Sequence, residues 1–178
     1  MVEALEELVA EGKIRSYGWS TDDTERARVF AQGEHCAAIQ VRLHMFHPAD
    51  EVLAVCEEYD VGSINKGPLS SGLLTGKFSA DSRIADPQEW RSRVDFKEKG
   101  VAEFLKQLDT LRDVLTSDGR TLAQAALGWI WTYSERTVPI PGFKTVKQVE
   151  ENLRAMEFGP LSNEQMTAVA DARNALQV

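Results

Sequence analysis

Apolar residues recur with two different periods along the chain, and stretches of the two periods alternate. Over Val2–Glu11 the apolar positions are spaced by one, three and four residues, which predicts an amphipathic helix. Ile14–Ser20 is a short apolar and aromatic run typical of a strand, and Gly12 before it suits a helix end. The chain therefore opens with a helix that leads into a strand.

The same alternation continues along the rest of the chain. Three further strands are predicted at Ala37–Leu43, Val61–Gly67 and Thr137–Gly142. Further helices are predicted at Asp23–Gln32, Glu51–Tyr59, Val101–Leu115, Leu122–Tyr133, Thr145–Met156 and Ser162–Leu176. Four strands that alternate with helical segments predict an α/β fold, built from βα units around a parallel sheet.

Polar residues at two helix starts support these boundaries. Thr21 or Asp22 is expected to cap the second helix. Ser162 and Gln165 have the spacing of a capping box, in which each side chain bonds the backbone amide of the other residue. These residues predict where the second and the last helices begin.

Charge and composition exclude several classes of protein. The chain has 178 residues and a net charge of −8, which argues against a general nucleic-acid binder because such proteins carry a basic surface. No apolar run approaches the roughly 20 residues of a membrane-spanning helix. The acidic N-terminal helix lacks the basic start and apolar centre of a secretory signal. These features predict a cytoplasmic protein.

Cysteine and histidine residues show no pattern of a metal site. Cys36 and Cys56 lack metal-site or redox spacing, so each is expected to be a reduced, buried thiol. His44 and His47 are three residues apart, but they follow a strand and no third ligand is evident. No metal site is predicted.

A long polar segment, residues 79–100, separates the third strand from the next helix. Its length is typical of an active-site loop rather than of a simple turn. Trp90, Arg91 and Arg93 within it are candidates for a substrate cleft. We expect residues 79–100 to form a long active-site loop.

Four separated stretches of sequence carry a family resemblance. They are ALEELVAEGKIRSYGWS, AAIQV, GPLSSGLLTGKF and VPIPGFKTVKQVEENLRAM. In this order and spacing the chain resembles the aldo/keto reductases over essentially its whole length. The resemblance implies a (β/α)8 barrel that reduces carbonyls with NADPH. Since the second half of the family matches, residues 1–178 are expected to form one TIM-barrel-like domain, about half of a (β/α)8 barrel with strands five to eight and their helices.

The resemblance also implies what a chain of this length lacks. A complete barrel takes about 250 residues, more than the 178 residues of this chain. The family's catalytic tetrad (an Asp, a Tyr, a Lys and a His) comes from the first half of the barrel. None of Tyr17, Tyr59 and Tyr133 stands where the family has its proton donor, so no catalytic residue is assigned. The chain is expected to be a truncated, cofactor-binding half.

Two residues are implied to bind the nicotinamide of NADP. Ser20 ends the first strand, where the family usually has a Ser-Asn pair that bonds the nicotinamide carboxamide, and here Thr21 replaces the Asn. Gln40 lies in the middle of a strand, where a buried amide requires a hydrogen-bond partner, and the resemblance supplies the same carboxamide. The alternatives are that Ser20 or Thr21 only caps a helix, and that Gln40 bonds a neighbouring strand.

The stretch after the third strand is implied to bind the pyrophosphate through backbone amides and a hydroxyl. Its residues are Lys66, Gly67, Pro68, Leu69, Ser70 and Gly72. The spacing is not that of a Walker loop, and Gly72 and Gly76 are expected to permit tight backbone geometry. The alternative is a turn with a solvated Lys66, at a position where many family members have a Tyr that stacks on the nicotinamide.

A second group of residues follows the fourth strand, where barrels commonly hold phosphate with a loop and a helix N-terminus. Gly142 would let a backbone amide approach the pyrophosphate, and Lys144 would pair with the 2′-phosphate, which favours NADP over NAD. Gln148, Glu151 and Asn152 share one helix face and, in the family, contact the adenine and its ribose. The alternative is an ordinary polar helix face.

Half of a barrel would leave surfaces uncovered. Four βα units have two open sheet edges, and Ile39, Val41 and Ile64 are expected to require facing side chains from absent strands. Three arrangements would meet that requirement: the chain is a fragment of a longer enzyme, it associates with an N-terminal half-barrel or with itself, or its own segments refold over the edges.

The sequence supports two classes of function. The first is an aldo/keto reductase-like oxidoreductase, present as the NADP-binding half without the tetrad. The alternative is a non-catalytic NADP-binding protein, or a structural or assembly half-barrel in which the cofactor residues are relics. The expected partners are NADP(H) and a small carbonyl substrate, with no nucleic acid and no membrane.

Overall fold

The computed structural model describes residues 1–176, and in them four strands form a parallel sheet. The strands are β1 (Tyr17–Ser20), β2 (Cys36–Arg42), β3 (Gly62–Lys66) and β4 (Thr137–Pro139). They lie in the order β1-β2-β3-β4, and each neighbouring pair is parallel. The predicted α/β fold with a parallel sheet is therefore confirmed.

The helices begin and end close to the predicted bounds. They are α1 (Val2–Ala10), α2 (Thr24–Ala31), α3 (Asp50–Glu58), α4 (Lys99–Thr110), α5 (Arg112–Leu115), α6 (Leu122–Tyr133), α7 (Val146–Phe158) and α8 (Asn163–Leu176). The one long helix predicted for Val101–Leu115 is instead divided into α4 and α5 at Leu111. Among the described residues, no helix combines the length and the apolar character needed to cross a membrane.

The chain divides into two compact units, which are described separately. The first unit comprises residues 1–68 and 130–142 and contains the whole sheet together with α1, α2 and α3. The second unit comprises residues 69–129 and the described residues from 143 onward, with α4, α5, α7 and α8. Residues of α6 belong to both units.

One face of the sheet in the first unit is buried in an apolar core with α2 and α3. Ile39 and Val41 have exposed fractions of 0% and 1% and share this core with Phe30. The expectation that Ile39 and Val41 face absent strands is therefore wrong. Side chains alternate along a strand, and these two lie on the side that the helices cover. Ile64 is half-buried on the other face, where it is in register with Gln40.

The second face of the sheet carries a mixed polar and apolar row. Ser20, Gln40, Ile64 and Val138 are in register across the four strands. Gln40 and Ile64 are half-buried, whereas Ser20 is exposed and Val138 is 57% exposed. On this face β1 and β2 approach closely at Gly18, where a Cβ would clash with the carbonyl oxygen of Ala38. This face is the accessible one.

The helix caps confirm one prediction and correct another. Ser162 and Gln165 form the predicted capping box: the Ser162 amide donates to Gln165 Oε1 at 3.0 Å, and the Gln165 amide donates to Ser162 Oγ at 3.2 Å. The cap of α2 is Asp23, whose carboxylate accepts from the Arg26 amide at 2.8 Å, rather than Thr21 or Asp22. The helix begins one residue later than predicted, so its cap is also one residue later.

A buried arginine just before α6 binds the end of α7 in the second unit. Arg120 is 4% exposed, and its guanidinium donates to the carbonyls of Phe158, Gly159 and Pro160 at 3.2–3.4 Å. Gly128 of α6 leaves room for it, because a Cβ there would lie 2.7 Å from Arg120 Nη1. The arginine thus supplies donors to carbonyls at the C-terminal end of α7, which lack partners within the helix.

Both cysteines are buried free thiols, as predicted. Cys36 lies at the start of β2 and Cys56 lies in α3, and both belong to the apolar core of the first unit. Burial raises the pKa of Cys56 to about 11 and raises the pKa of Cys36 as well. The two thiols therefore stay protonated at neutral pH and serve as core residues.

Candidate functional site

Four polar residues meet at the carboxyl-terminal end of the sheet in the first unit. Ser20 Oγ donates to Gln40 Oε1 at 3.2 Å, and Lys66 Nζ donates to Ser20 Oγ at 3.4 Å. Lys66 Nζ also lies 3.3 Å from a carboxylate oxygen of Asp22. We call Ser20, Asp22, Gln40 and Lys66 the sheet-end cluster. Parallel α/β sheets bind ligands at this end of their strands.

Asp22 belongs to this cluster although the sequence indicated only a helix cap. Its carboxylate accepts from the Arg42 amide at 2.7 Å and pairs with Lys66. Partial desolvation raises the pKa of Asp22, but the Arg42 amide and the Lys66 ammonium outweigh it and hold the pKa below its ordinary value. The Lys66 charge is thus balanced within the cluster, which leaves Ser20 and Gln40 as its neutral hydrogen-bonding groups.

The predicted pyrophosphate stretch is a tightly turned segment. Gly67 and Pro68 end the first part of the first unit, and Leu69, Ser70 and Gly72 begin the second unit. Gly67, Gly72 and Gly76 all have positive φ, between 65° and 92°, which confirms the tight geometry expected of Gly72 and Gly76. Ser70 and Ser71 also have positive φ, a strained conformation for residues with a Cβ.

Backbone groups of this segment are partly used within it. The amides of Gly72 and Leu74 both donate to the Leu69 carbonyl, at 2.8 and 3.2 Å, and Thr75 Oγ donates to the Gly72 carbonyl at 2.7 Å. These bonds fix the turn. An anion that binds this segment in the same conformation would therefore accept hydrogen bonds from donors other than the amides of Gly72 and Leu74.

The start of α7 in the second unit gathers several of the predicted phosphate residues. Thr145 caps the helix, and its hydroxyl accepts from the Gln148 amide at 3.3 Å. The Gln148 side chain accepts in return from the Lys144 amide at 2.6 Å. Gly142, in the first unit, is exposed, and no atom lies within 4 Å of the place of a Cβ there. Lys144 and Gln148 are thus held together at a helix N-terminus.

Glu151 and Asn152 lie further along the same helix. Both are half-buried, and their spacing from Gln148 places all three on one face, as the sequence indicated. The Glu151 carbonyl accepts from Gln124 Nε2 at 3.0 Å, which anchors α7 to α6 in the second unit. The roles of Glu151 and Asn152 toward adenine or ribose stay predictions.

Glu89 is a residue that the sequence did not single out. It lies in the polar segment 79–100, is 9% exposed, and forms an ion pair with Lys144. Arg91 holds the same carboxylate with Nε at 2.9 Å and Nη2 at 3.1 Å. No periodicity marks an acidic residue in a polar segment, and its partner Lys144 is 55 residues away, so sequence alone carried no signal for this pair.

Three cations of the second unit lie close enough to influence one another. Burial lowers the pKa of Lys77, and the charges of Arg91 and Lys144 lower it further. Glu89 contacts two of these three groups directly. Lys77, Arg91 and Lys144 thus form a group of cations in the second unit, and the Glu89 carboxylate partly neutralises it.

The polar segment 79–100 is attached to the second unit by aromatic packing. Phe96 is buried, and its ring centroid lies 5.0 Å from that of Phe78. Arg91 donates from Nη1 to the Ser71 carbonyl at 3.0 Å, which links the segment to the tight turn before it. The side chain of Trp90 lies outside the described part of the structure, and the cleft roles of Arg91 and Arg93 stay predictions.

The two spaced histidines form a tight turn. His44 and His47 exchange backbone hydrogen bonds of 3.2 and 2.7 Å, and their ring centroids are 5.6 Å apart. Burial lowers the pKa of His44 to about 3. Within residues 1–176 no group of three or more His, Cys, Asp or Glu side chains is arranged to hold a metal ion.

Comparison with known proteins gives one family over nearly the whole chain. The Aldo/keto reductase family matches residues 1–174. The aldo-keto reductase yakc [NADP(+)] of Schizosaccharomyces pombe is 27% identical over 159 residues, which cover 86% of this chain and 47% of that protein. The NADH-specific methylglyoxal reductase of Escherichia coli is 26% identical over 178 residues, which cover 99% of this chain and 54% of that protein.

Solved structures agree with this match. The glycerol dehydrogenase of Gluconobacter oxydans has a TM-score of 0.83 at 24% identity, covering 96% of this chain and 52% of that one, a likeness that shows the fold alone. An aldo/keto reductase from Klebsiella pneumoniae in complex with NADP and acetate has a TM-score of 0.68 at 27% identity, with the same coverage of 96% and 52%. The chain spans about half the length of the curated relatives that it matches.

Proposed function

We propose that this chain, which belongs to the aldo/keto reductase family, is the cofactor-binding half of an NADP-dependent oxidoreductase that converts a carbonyl to an alcohol by hydride transfer. The observation that carries the proposal is the sheet-end cluster. Ser20 and Gln40 are twenty residues apart in sequence, yet they are hydrogen-bonded side by side at the carboxyl-terminal end of a parallel sheet. This is the position at which α/β folds hold their ligands.

The residues present fit NADP(H). A hydroxyl and an amide on the accessible sheet face suit the nicotinamide carboxamide, because together they supply donors and acceptors. Lys144 and the α7 N-terminus supply positive charge suited to phosphate. When bound, NADPH supplies a hydride. In the first unit, we propose that Ser20 and Gln40 orient the nicotinamide carboxamide. In the second unit, we propose that Lys144 and Gln148 bind phosphate and that Glu151 and Asn152 contact adenosine.

Two relatives support the choice of cofactor. The Schizosaccharomyces pombe relative carries NADP(+) in its name, and the Klebsiella pneumoniae enzyme was solved with NADP. The Escherichia coli relative is NADH-specific, so family membership alone does not fix the choice between the two nucleotides. Lys144 is the residue of this chain that favours NADP in our proposal.

The proposed chemistry requires groups beyond this site. We assign no catalytic residue to residues 1–178, and we propose that protonation of the carbonyl oxygen falls to a Tyr of an N-terminal half-barrel, in a partner or in a longer protein. Val138 supports this view, because it is 57% exposed although strand residues of a barrel are normally covered. Ile140, just after β4, is 46% exposed as well. A second copy of the chain is an alternative way to cover them.

A non-catalytic function has one specific observation in its favour. Lys66 is paired with Asp22, and Lys144 is paired with Glu89, so both cations of the proposed site already have counter-ions within the chain. Such pairs suit a structural or assembly half-barrel, or a protein that binds NADP without catalysis. A measurement of NADPH binding distinguishes the structural role, which needs no cofactor, from the catalytic half and from the non-catalytic NADP-binding protein.

Changing Lys144 to Met is expected to weaken NADPH binding about tenfold, because the 2′-phosphate would lose its cation. Lys147→Met is the matched control, since Lys147 is an exposed lysine three residues along the chain in α7. Binding is measured by NADPH fluorescence titration of the purified variants. Equal dissociation constants for the two variants would refute the role of Lys144.

A further inference from the structure

The ion pair between Glu89 and Lys144 places a carboxylate where the proposed function needs a phosphate. Lys144 Nζ contacts Glu89 Oε2, and the Glu89 side chain is buried while that of Lys144 is largely exposed. A lysine ammonium is a compact charge that its nearest anion neutralises. Any anionic group that approaches Lys144 therefore meets an ammonium that already has an anion beside it.

Contacts with Arg91 hold the Glu89 carboxylate in its position close to Lys144. Arg91 binds the two carboxylate oxygens with two nitrogens, at 2.9 and 3.1 Å, which is the bidentate geometry that fixes orientation. Arg91 is itself fixed by its bond of 3.0 Å to the Ser71 carbonyl. The carboxylate is thus positioned by a chain of contacts within the second unit and stays close to Lys144 in the absence of a ligand.

We infer that Glu89 determines nucleotide specificity by competing with the 2′-phosphate for Lys144, so that it reduces the preference of this chain for NADP over NAD. The inference rests on the proposed binding of NADP(H). NADPH must displace the carboxylate or accept it as a close, like-charged neighbour, and both lower affinity. NADH has a hydroxyl in place of the 2′-phosphate, leaves the ion pair intact and escapes this competition.

Removal of the negative charge of Glu89 is expected to change the dissociation constants for NADPH and NADH by different factors. Glu89→Gln keeps the size of the side chain and an oxygen for Arg91 but no longer neutralises Lys144. The dissociation constant for NADPH is expected to fall about tenfold, whereas that for NADH changes less than twofold. Both are measured by fluorescence titration of the full chain, and circular dichroism confirms that the variant is folded.

Two further variants show whether the gain in NADPH affinity arises at the ion pair between Glu89 and Lys144. Glu150→Gln removes an exposed carboxylate from α7, so it controls for the general change in charge and is expected to leave the ratio of the two constants unchanged. In a Lys144→Met background, Glu89→Gln is expected to give no gain in NADPH binding, because the group for which carboxylate and phosphate compete is gone.

The outcomes separate this inference from the proposed function. If the wild-type chain binds NADPH and Glu89→Gln leaves the NADPH-to-NADH ratio unchanged, the specificity role of Glu89 is overturned and the proposed function stands. If the gain persists in the Lys144→Met background, competition for Lys144 is overturned. If neither the wild-type chain nor Glu89→Gln binds either nucleotide, both the proposed function and this inference fail.

Discussion

Replacing Arg120 with Met is expected to destabilise the chain by about 3 kcal/mol and to lower its melting temperature by about 10 °C. Arg120 is 4% exposed and donates to three consecutive carbonyls at the end of α7. Met fills a similar volume but donates no hydrogen bond. The carbonyls of Phe158, Gly159 and Pro160 would then lose the donors of Arg120, and the ion pair with Asp118 at 2.7 Å would be lost as well.

Thermal unfolding followed by circular dichroism measures this effect. Arg154→Met is the matched control, since Arg154 is exposed on α7 and its removal is expected to shift the midpoint by no more than about 2 °C. Arg120→Lys is expected to recover only part of the stability, because one ammonium does not reproduce the fork of donors. Equal midpoints for Arg120→Met and Arg154→Met would contradict the bridging role.

Lowering the pH from 7 to 5 is expected to cost about 2 kcal/mol of stability through His44 alone. Burial, with the positive charges of His47 and Arg42, lowers the pKa of His44 from 6.5 to about 3. Between these values the unfolded chain takes up a proton that the folded chain does not. The contribution of His44 is therefore fully present above pH 6.5 and is lost progressively as the pH falls toward 3.

Urea unfolding at pH 7 and pH 5 measures this loss. His44→Gln is expected to show a loss smaller by about 2 kcal/mol, whatever its stability at pH 7, since the titrating group is gone. His47→Gln replaces an exposed imidazole of the same turn and is expected to retain most of the wild-type pH dependence. A His44→Gln variant that loses as much stability as the wild type would show that other groups carry the acid sensitivity.

The fold was predictable from the sequence where the local pattern of apolar and polar residues indicates the same strand or helix that the structure contains. The alternation of strand and helix periods predicted four parallel strands, and the Ser162–Gln165 spacing predicted a helix start that the structure confirms. Side-chain direction on the strands was not predictable. Ile39 and Val41 were assigned to the wrong face, because a strand with apolar residues on both sides does not indicate which side the helices cover.

The candidate site was predictable only in its resemblance-based part. Ser20 and Gln40 were expected to bind one ligand group, and the structure places them in contact. This contact also fits the alternative that Gln40 bonds a neighbouring strand, so their role toward a ligand stays a prediction. Asp22 and Glu89 were missed, because each acts through a partner far away in sequence: Lys66 for Asp22, and Lys144 for Glu89. Ion pairs of this kind depend on tertiary structure and leave no local sequence pattern. The half-barrel arrangement and the cytoplasmic location stay predictions.

NADPH titration of the purified wild-type chain, followed by nicotinamide fluorescence, tests directly whether the chain binds the cofactor, and sedimentation gives the size of the folded particle. We expect saturable binding with a micromolar dissociation constant, which corresponds to a binding free energy on the order of −8 kcal/mol. A folded particle, of whatever size, that binds no NADPH at concentrations up to about 1 mM, where the binding free energy would be only about −4 kcal/mol, would contradict it.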